Sequence, residues 1–326
     1  MERKPINSVS VVIPVYNEMH SLPQLHEQLH QAMDQYEAEW EVVFVDDGSE
    51  DGSAQALEVL ATQDPEHTRA VMLRRNFGQT AAISAGIDHA HGNTIVLMDA
   101  DLQNDPADIP MLLDKINEGY DLVSGWRKAR KDNFITRTLP SRIANGMISM
   151  ITGVRLHDYG CSLKAYRREV LTGFRLYGEM HRFIPAYAGQ VGAKITEIVV
   201  SHHPRQYGKA NYGLERTFKV ILDLFTVKFL GSYAQKPIYI FGGTGFGMIS
   251  LGGLSFLYLA FRKFVQLKGT ADSPFLMLGT MFIIMGFQSI LMGFIAELMV
   301  RTYHESQSKP TYNVRSFIKD GKTQID

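Results

Sequence analysis

Short apolar runs alternate with helical patterns through the N-terminal part of the chain. In the helical patterns, apolar residues recur three or four positions apart, as at Leu22, Leu25 and Leu29. This alternation predicts an α/β domain in which helices cover both faces of a mostly parallel sheet. The apolar runs that predict its strands are residues 9–15, 41–45, 70–73, 94–98 and 122–124.

Three later segments continue the pattern. Residues 137–151 carry an apolar stripe with helical spacing, and residues 193–200 have the composition of a further strand. Residues 215–232 combine an apolar face with neighbouring arginine and lysine side chains. The last segment is therefore predicted to be a helix that lies in a membrane interface, with an ordinary amphipathic surface helix as the alternative.

Two long apolar stretches stand near the C-terminus. Residues 237–261 contain no charged side chain, and residues 274–298 contain one, Glu297. A helix of about 25 residues crosses the roughly 30 Å of hydrocarbon in a bilayer, so we expect a two-helix transmembrane hairpin. A pair of buried core helices is the alternative. Basic residues are more numerous outside the hairpin than in its connection, which favours a cytoplasmic main domain and tail in a multi-pass cell-membrane protein.

Composition removes several classes of function. The formal net charge of −1 gives no sign of a nucleic-acid-binding protein. The single cysteine, Cys161, excludes an internal disulfide and is expected to be a small buried residue rather than a nucleophile. The adjacent pair His202-His203 converges poorly and lacks a third ligand nearby, so zinc is not expected there. No signal peptide is expected at the N-terminus.

Acidic residues directly follow two predicted strands, where open α/β sheets bind their ligands. Asp99-Ala100-Asp101 offers two carboxylates that can converge on Mg²⁺ or Mn²⁺ beside a diphosphate leaving group. The alternative is a pair of solvated turn residues. Asp46-Asp47-Gly48-Ser49 can accept hydrogen bonds from a nucleobase or ribose, and its alternative role is to cap the next helix through Asp47 or Ser49.

The strand-end motifs together closely resemble those of the family 2 glycosyltransferases over residues 9 to about 210. The motifs are Val12-Ile13-Pro14-Val15-Tyr16-Asn17-Glu18, Val45-Asp46-Asp47-Gly48-Ser49 and Asp99-Ala100-Asp101-Leu102-Gln103. Two further motifs resemble the polyprenyl-phosphate branch, which includes dolichyl-phosphate mannose synthases and bacterial undecaprenyl-phosphate glucosyltransferases. They are Asn76-Phe77-Gly78-Gln79 and Asp158-Tyr159-Gly160-Cys161-Ser162-Leu163-Lys164-Ala165-Tyr166. The paired C-terminal spans are similar to those of its bacterial-type members.

The resemblance implies a GT-A fold, a Rossmann-like mixed sheet with helices on both faces, and assigns roles to individual residues. The nucleotide pocket would comprise Pro14, Tyr16, Glu18, Asp46, Asp47 and Asp99. The catalytic carboxylates would be Asp99, Asp101 and Asp158, and the metal site would comprise Asp99, Asp101 and Gln103. The acceptor phosphate would meet Arg127, Arg137, Ser141, Arg205 and Lys209. The alternative for the basic residues is a face that touches anionic lipid headgroups.

The predicted organisation has four parts. Residues 1–213 form the catalytic domain, 214–235 the amphipathic juxtamembrane helices, 236–300 the transmembrane hairpin and 301–326 a cytoplasmic tail. The expected partners are a nucleotide-sugar donor, a polyisoprenyl phosphate acceptor and the lipid bilayer, with no nucleic acid. The resemblance also implies a homo-oligomer, and the expected assembly is a tetramer.

The resemblance implies inverting transfer of a hexose to an undecaprenyl-type phosphate, with glucose from UDP-glucose as the preferred donor and GDP-mannose as the alternative. A phosphate monoester is mostly dianionic at neutral pH, so the acceptor needs no strong general base. Asp158 would either orient the acceptor or stabilise positive charge on the sugar. Two rival functions are a processive polysaccharide synthase, whose Gln-x-x-Arg-Trp motif is absent from the sequence, and a non-catalytic membrane scaffold.

Overall fold

The computed structural model describes residues 5–128, 145–146, 148–150, 152–171, 180–204, 237–265, 267, 273–306, 317–319 and 322–324. The chain divides into two compact units, Met1–Val227 and Lys228–Asp326. The predicted interfacial helix of residues 215–232 lies outside the described residues.

A seven-stranded mixed sheet organises the first unit, in the order β3-β2-β1-β4-β6-β5-β7. Only β6 runs antiparallel to its neighbours in this sheet. The predicted α/β class with a mostly parallel sheet is confirmed. The strands are β1 (Ser8–Val15), β2 (Glu39–Asp46), β3 (Thr68–Met72), β4 (Thr94–Leu97), β5 (Leu122–Trp126), β6 (Lys164–Arg167) and β7 (Ile195–Val199).

Helices cover both faces of the sheet because successive strand residues point to opposite sides. On β1, Val11 belongs to one buried cluster and Val12 to another. The first cluster includes leucines of α1 and α4, and the second includes apolar residues of α3 and α6. The helices of this unit are α1 (Leu22–Met33), α2 (Ser53–Gln63), α3 (Gln79–His89), α4 (Ile109–Asn117), α5 (Arg168–Leu171) and α6 (Ile184–Gln190), with 3₁₀ turns at Pro106–Asp108 and Met180–Phe183.

The second unit contains two long apolar helices, α7 (Ile238–Phe264) and α8 (Pro274–Ser306). Both are long and apolar enough to cross a membrane, over Ile238–Phe264 and Pro274–Met299. Only 17% and 11% of their most apolar windows are buried, which speaks against the alternative of soluble core helices. Two short strands, β8 (Phe317–Lys319) and β9 (Lys322–Gln324), form an antiparallel pair near the C-terminus.

Candidate active site

A cleft opens where β1, β2 and β4 end. Parallel strands bring their carboxyl ends to one edge, which is where the predicted polar motifs meet. Eight of the predicted site residues line this cleft: Pro14, Tyr16, Glu18, Asp47, Asp99, Asp101, Gln103 and Arg127. The sheet order therefore assembles residues that are separated by more than a hundred positions in sequence.

Asp47 fixes the floor of the proposed nucleotide pocket. Its Oδ1 accepts a hydrogen bond from the backbone N–H of Phe77 at 2.7 Å, and its Oδ2 accepts one from Gly78 at 2.9 Å. The neighbouring Gly48 has φ +70°, and a Cβ there would lie 2.5 Å from the backbone carbon of Arg75. Only glycine fits where two backbone segments approach so closely. Asp47 and Gly48 therefore hold the end of β2 against the loop before α3.

The helix-capping alternative for this acidic motif is wrong. The N-cap of α2 is Gly52, which makes no side-chain capping hydrogen bond. Ser49 Oγ instead accepts a hydrogen bond from the Asn17 N–H at 2.9 Å, which links the ends of β1 and β2. Asp46 lies beside the cleft rather than in its lining. Its Oδ2 accepts from the Ser49 N–H at 3.1 Å, and its buried Oδ1 has no hydrogen-bond partner among the described residues.

The second acidic motif presents hard oxygen donors to the same cleft. Asp99 Oδ1 accepts a hydrogen bond from Gln79 Nε2 at 2.7 Å, which orients the carboxylate from the start of α3. Asp101 Oδ1 accepts from the backbone N–H of Gln103 at 3.1 Å. This tight turn requires Leu102 to adopt φ +58°, an uncommon conformation for a buried leucine. Two carboxylates and one amide oxygen at one strand end fit a Mg²⁺ or Mn²⁺ site.

Arg127 and Asp158 form a two-point ion pair at the cleft wall. Arg127 Nε donates to Asp158 Oδ2 at 2.7 Å, and an Nη donates to Oδ1 at 3.0 Å. The side chains are 12% and 5% exposed. Burial opposes the charge on Arg127, but the hydrogen bonds and charge of Asp158 hold its pKa above the ordinary arginine value. Arg127 lines the cleft and Asp158 stands behind it.

A buried lysine, Lys164, also lines the cleft. Its Nζ donates to the carbonyl oxygens of Tyr159 and Cys161. Burial lowers the pKa of Lys164 and raises that of the Cys161 thiol. Cys161 is 1% exposed, so the prediction of a small buried cysteine is confirmed.

Sequence reasoning assigned no role to several residues of the lining. His181 and Arg182 come from the 3₁₀ turn Met180–Phe183, and His181 Nδ1 lies 2.7 Å from Thr80 Oγ1 of α3. No local pattern marks this turn, because its position depends on packing against α3. Gln79 and Lys164 stood within quoted motifs, yet only the folded chain shows what they contact.

Four of the predicted acceptor-binding residues lie outside the described part of the chain. They are Arg137, Ser141, Arg205 and Lys209. In the histidine pair, His203 Nε2 lies 3.1 Å from Asp105 Oδ2, and His202 forms a backbone bridge to Asn104.

Comparison with known proteins identifies the family to which the chain is similar. Residues 10–174 match the family model described as Glycosyl transferase family 2. The dodecaprenyl-phosphate galacturonate synthase of Rhizobium johnstonii is 44% identical over 321 residues, covering 97% of this chain and 95% of the relative. An undecaprenyl-phosphate 4-deoxy-4-formamido-L-arabinose transferase of Pseudomonas fluorescens is 36% identical, covering 98% and 92%.

Solved structures confirm the fold alone. Mannosyl-3-phosphoglycerate synthase from Rubrobacter xylanophilus aligns with a TM-score of 0.51 at 12% identity, covering 69% of this chain and 74% of that one. Glucosyl-3-phosphoglycerate synthase from Mycobacterium tuberculosis, solved with Mg²⁺ and uridine diphosphate, aligns with a TM-score of 0.51 at 17% identity, covering 68% and 78%. The chain belongs to glycosyl transferase family 2, and within it to the polyprenyl-phosphate glycosyltransferase branch of enzymes.

Proposed function

We propose that this enzyme transfers galacturonate from a UDP-linked donor to the phosphate of a polyprenyl lipid. The observation that carries the sugar assignment is the 44% identity, over nearly the whole of both chains, to a dodecaprenyl-phosphate galacturonate synthase. The glucose and mannose expected from the sequence find no support in the two sequence relatives named above. Neither do the processive polysaccharide synthase and the non-catalytic scaffold.

A second guanidinium in the cleft supports an acidic sugar. Arg182 lines the cleft in addition to Arg127, whose guanidinium is bound by Asp158. A uronic acid carries a carboxylate that a guanidinium binds with charge-assisted hydrogen bonds. The formamido-arabinose of the second relative has no such group, so the donor sugar is a sharp test of which relative this chain follows.

The donor nucleotide would occupy the part of the cleft near Asp46, Asp47 and Tyr16. The buried Asp46 Oδ1, which has no hydrogen-bond partner among the described residues, is suited to accept from the imide N–H of a uracil base. The aromatic ring of Tyr16 is 44% exposed at the cleft and offers a stacking surface for that base.

Asp99, Asp101 and Gln103 would hold a divalent cation. When bound, that cation neutralises charge on the departing nucleotide diphosphate. A lipid phosphate oxygen forms a bond to the anomeric carbon while the bond between that carbon and the diphosphate oxygen breaks. The electron pair of the broken bond leaves with the diphosphate. One displacement of this kind inverts the anomeric carbon.

Arg127 would hold the acceptor phosphate, and Asp158 would hold Arg127. Because the phosphate is already a nucleophile at neutral pH, catalysis depends mainly on positioning and on stabilising charge. Asp158 is tied on both oxygens by the guanidinium, so we assign it to positioning rather than to proton removal. From the sequence resemblance alone we also propose Arg137, Ser141, Arg205 and Lys209 as phosphate ligands and a tetramer as the assembly. From the excess of basic residues outside the hairpin we propose a cytoplasmic catalytic domain.

A donor panel tests the proposed sugar. Purified full-length protein is incubated with polyprenyl phosphate and UDP-galacturonate, UDP-glucose, GDP-mannose or the UDP-linked formamido-arabinose. We expect kcat/KM to be at least about tenfold higher for UDP-galacturonate than for any other donor, since buried polar sites reject substrates that leave them unpaired. Equal or faster transfer from UDP-glucose would overturn the sugar assignment and leave the acceptor class standing.

The cation site is tested at Asp101. Asp101→Asn keeps the shape of the side chain and removes its charge, so transfer should fall by about 10²- to 10³-fold. The melting temperature should be unchanged, because Asp101 is half-buried at a loop and outside the core. Glu58→Gln, on an exposed position of α2, is the matched control. Full activity of the native enzyme in excess chelator would contradict the site.

A further inference from the structure

A cluster of imidazoles surrounds Asp64 at the opposite edge of the sheet from the cleft. His26 and His30 lie four positions apart on α1, so they share a face of the helix. Asp64 follows the last residue of α2, and His67 precedes β3. β2 and β3 begin at this edge, whereas the catalytic motifs stand where strands end. The cluster is therefore separate from the transferase site.

Three ligand atoms in this cluster converge on one point. His26 Nε2 and His30 Nε2 each lie 3.2 Å from Asp64 Oδ2, and all three atoms lie within 4.8 Å of one another. Zn–N bonds of about 2.0–2.1 Å in a tetrahedral site place neighbouring ligand atoms roughly 3.3 Å apart. The two nitrogen-to-oxygen separations of 3.2 Å match edges of such a tetrahedron, and the ligand atoms of the three residues all lie within 4.8 Å of one another. Three protein ligands would leave a fourth position for water.

Surrounding groups position two of the three ligands, His30 and Asp64. His30 Nδ1 lies 3.1 Å from a carboxylate oxygen of Asp34, an arrangement that fixes the tautomer with a lone pair on Nε2. Thr68 Oγ1 donates to Asp64 Oδ2 at 2.7 Å, and His67 Nδ1 lies 3.1 Å from Oδ1. His67 is also stacked on Trp40, with ring centroids 4.5 Å apart.

His30 faces more carboxylates than a neutral imidazole has protons to donate. His30 faces one carboxylate through each ring nitrogen, Asp34 at Nδ1 and Asp64 at Nε2. A neutral imidazole carries one proton and can donate to only one of them. A cation between Nε2 and Asp64 would remove the conflict, and so would a second proton on the ring. These two solutions differ in whether a metal binds.

We propose that His26, His30 and Asp64 form a zinc site that ties α1 to the segment between α2 and β3. His67 and Asp34 act as the outer groups that position the carboxylate and the His30 ring. The site is structural in location, since it joins the first helix to the edge strand of the sheet. It is separate from the proposed Mg²⁺ or Mn²⁺ site at Asp101.

The test measures metal binding in full-length protein that lacks a polyhistidine tag. The protein carries Asp101→Asn to disable the catalytic cation site, is stripped with chelator and is then titrated with Co²⁺. We expect one equivalent to bind with visible absorption bands typical of four-coordinate Co²⁺, to quench Trp40 fluorescence and to be displaced by Zn²⁺. The melting temperature should rise with added Zn²⁺, because the metal binds the folded state.

Variants in the same background locate the bound ion. His30→Ala and, separately, His26→Asn should abolish the Co²⁺ bands, and Asp34→Asn should weaken binding by about 10- to 100-fold. His89→Ala, an exposed histidine on α3, should bind like the parent. Two results would overturn the proposal: no Co²⁺ bound by the Asp101→Asn protein, or the same affinity in the parent and in a folded His30→Ala protein.

Discussion

The guanidinium of Arg127 owes its position to a single carboxylate. The Arg127 side chain is only 12% exposed. It remains charged because its two hydrogen bonds to the Asp158 carboxylate offset the loss of hydration. Breaking such a pair leaves an uncompensated buried charge, which costs more than the pair contributes. The pair therefore works as one unit that presents a fixed cation to the cleft, and substitution of either partner disturbs both.

Arg127→Lys tests this unit with the charge retained. A lysine ammonium is a point charge and cannot reproduce the two-point contact of a guanidinium with a carboxylate. We expect kcat/KM for the lipid acceptor to fall about 10- to 100-fold, which corresponds to about 1.4–2.8 kcal/mol of transition-state stabilisation. Donor affinity, measured by calorimetry with UDP, should hardly change. Lys128→Ala, at the neighbouring position, is the control, and an equal loss of donor and acceptor function would refute the assignment.

At the same scale, sequence predicted the residues at strand ends and missed those placed by packing. Asp47, Asp99 and Asp101 follow apolar runs directly, so their position at the sheet edge was readable from the pattern. His181 and Arg182 enter the cleft because a 3₁₀ turn packs on α3, and no spacing in the chain encodes that contact. The Asp158 partner was also hidden, since 31 residues separate it from Arg127.

Secondary-structure elements show the same division. Strands with several consecutive apolar residues were predicted, whereas β6, whose sequence is Lys-Ala-Tyr-Arg, was not. Its four residues become a strand because β4 and β5 supply hydrogen-bonding partners on both sides. Sequence also indicated two apolar helices but not how they pack, since the apolar pattern alone does not show which glycines of one helix face the other.

The glycines of α7 and α8 recur every seven residues along the helix contact. Gly245 and Gly252 on α7 face Gly286 and Gly279 on α8, so the helices run antiparallel. A Cβ built on Gly286 would lie 2.6 Å from the carbonyl oxygen of Gly245. Small residues at such positions let backbones approach closely, and van der Waals packing then holds the helices together.

Gly286→Ala should separate the two helices. One methyl group there has no space, and overpacking of this kind costs about 1–3 kcal/mol. The matched control is Gly247→Ala on α7, where a Cβ meets nothing within 4 Å. The hydroxyl oxygens of Thr244 and Ser289 lie 3.0 Å apart, so cysteines at both positions in a Cys161→Ser background report the approach of the helices by disulfide formation.

The rate of that disulfide formation decides the helix prediction. It should fall several-fold in Gly286→Ala and stay at the parental value in Gly247→Ala. Equal rates in all three proteins would mean that the glycine contact does not set the distance between the helices.

The whole molecule combines an α/β unit with two apolar helices that are mostly exposed when the chain is considered alone. Exposure of so much apolar surface to water is unfavourable, which indicates that lipid surrounds these two helices. A polyprenyl phosphate places its reacting phosphate at the surface of the same bilayer. A membrane anchor therefore raises the encounter rate between enzyme and acceptor, and it also allows the two functions to be separated by truncation.

Cutting the chain after Tyr233 should leave a domain that binds nucleotide but is easily removed from membranes. The fold supports this because the described cleft residues all belong to Met1–Val227, while both apolar helices belong to the second unit. An interfacial helix that remained would bind lipid reversibly, unlike a spanning helix. We expect carbonate washing to release the truncated protein and to leave the full chain in the pellet. The UDP affinity of the truncated protein, measured by calorimetry, should lie within about twofold of that of the full chain.

The control is full-length Asp101→Asn, which should stay in the pellet while inactive. A truncated protein that folds, binds UDP and still resists carbonate would show that the hairpin is not the anchor.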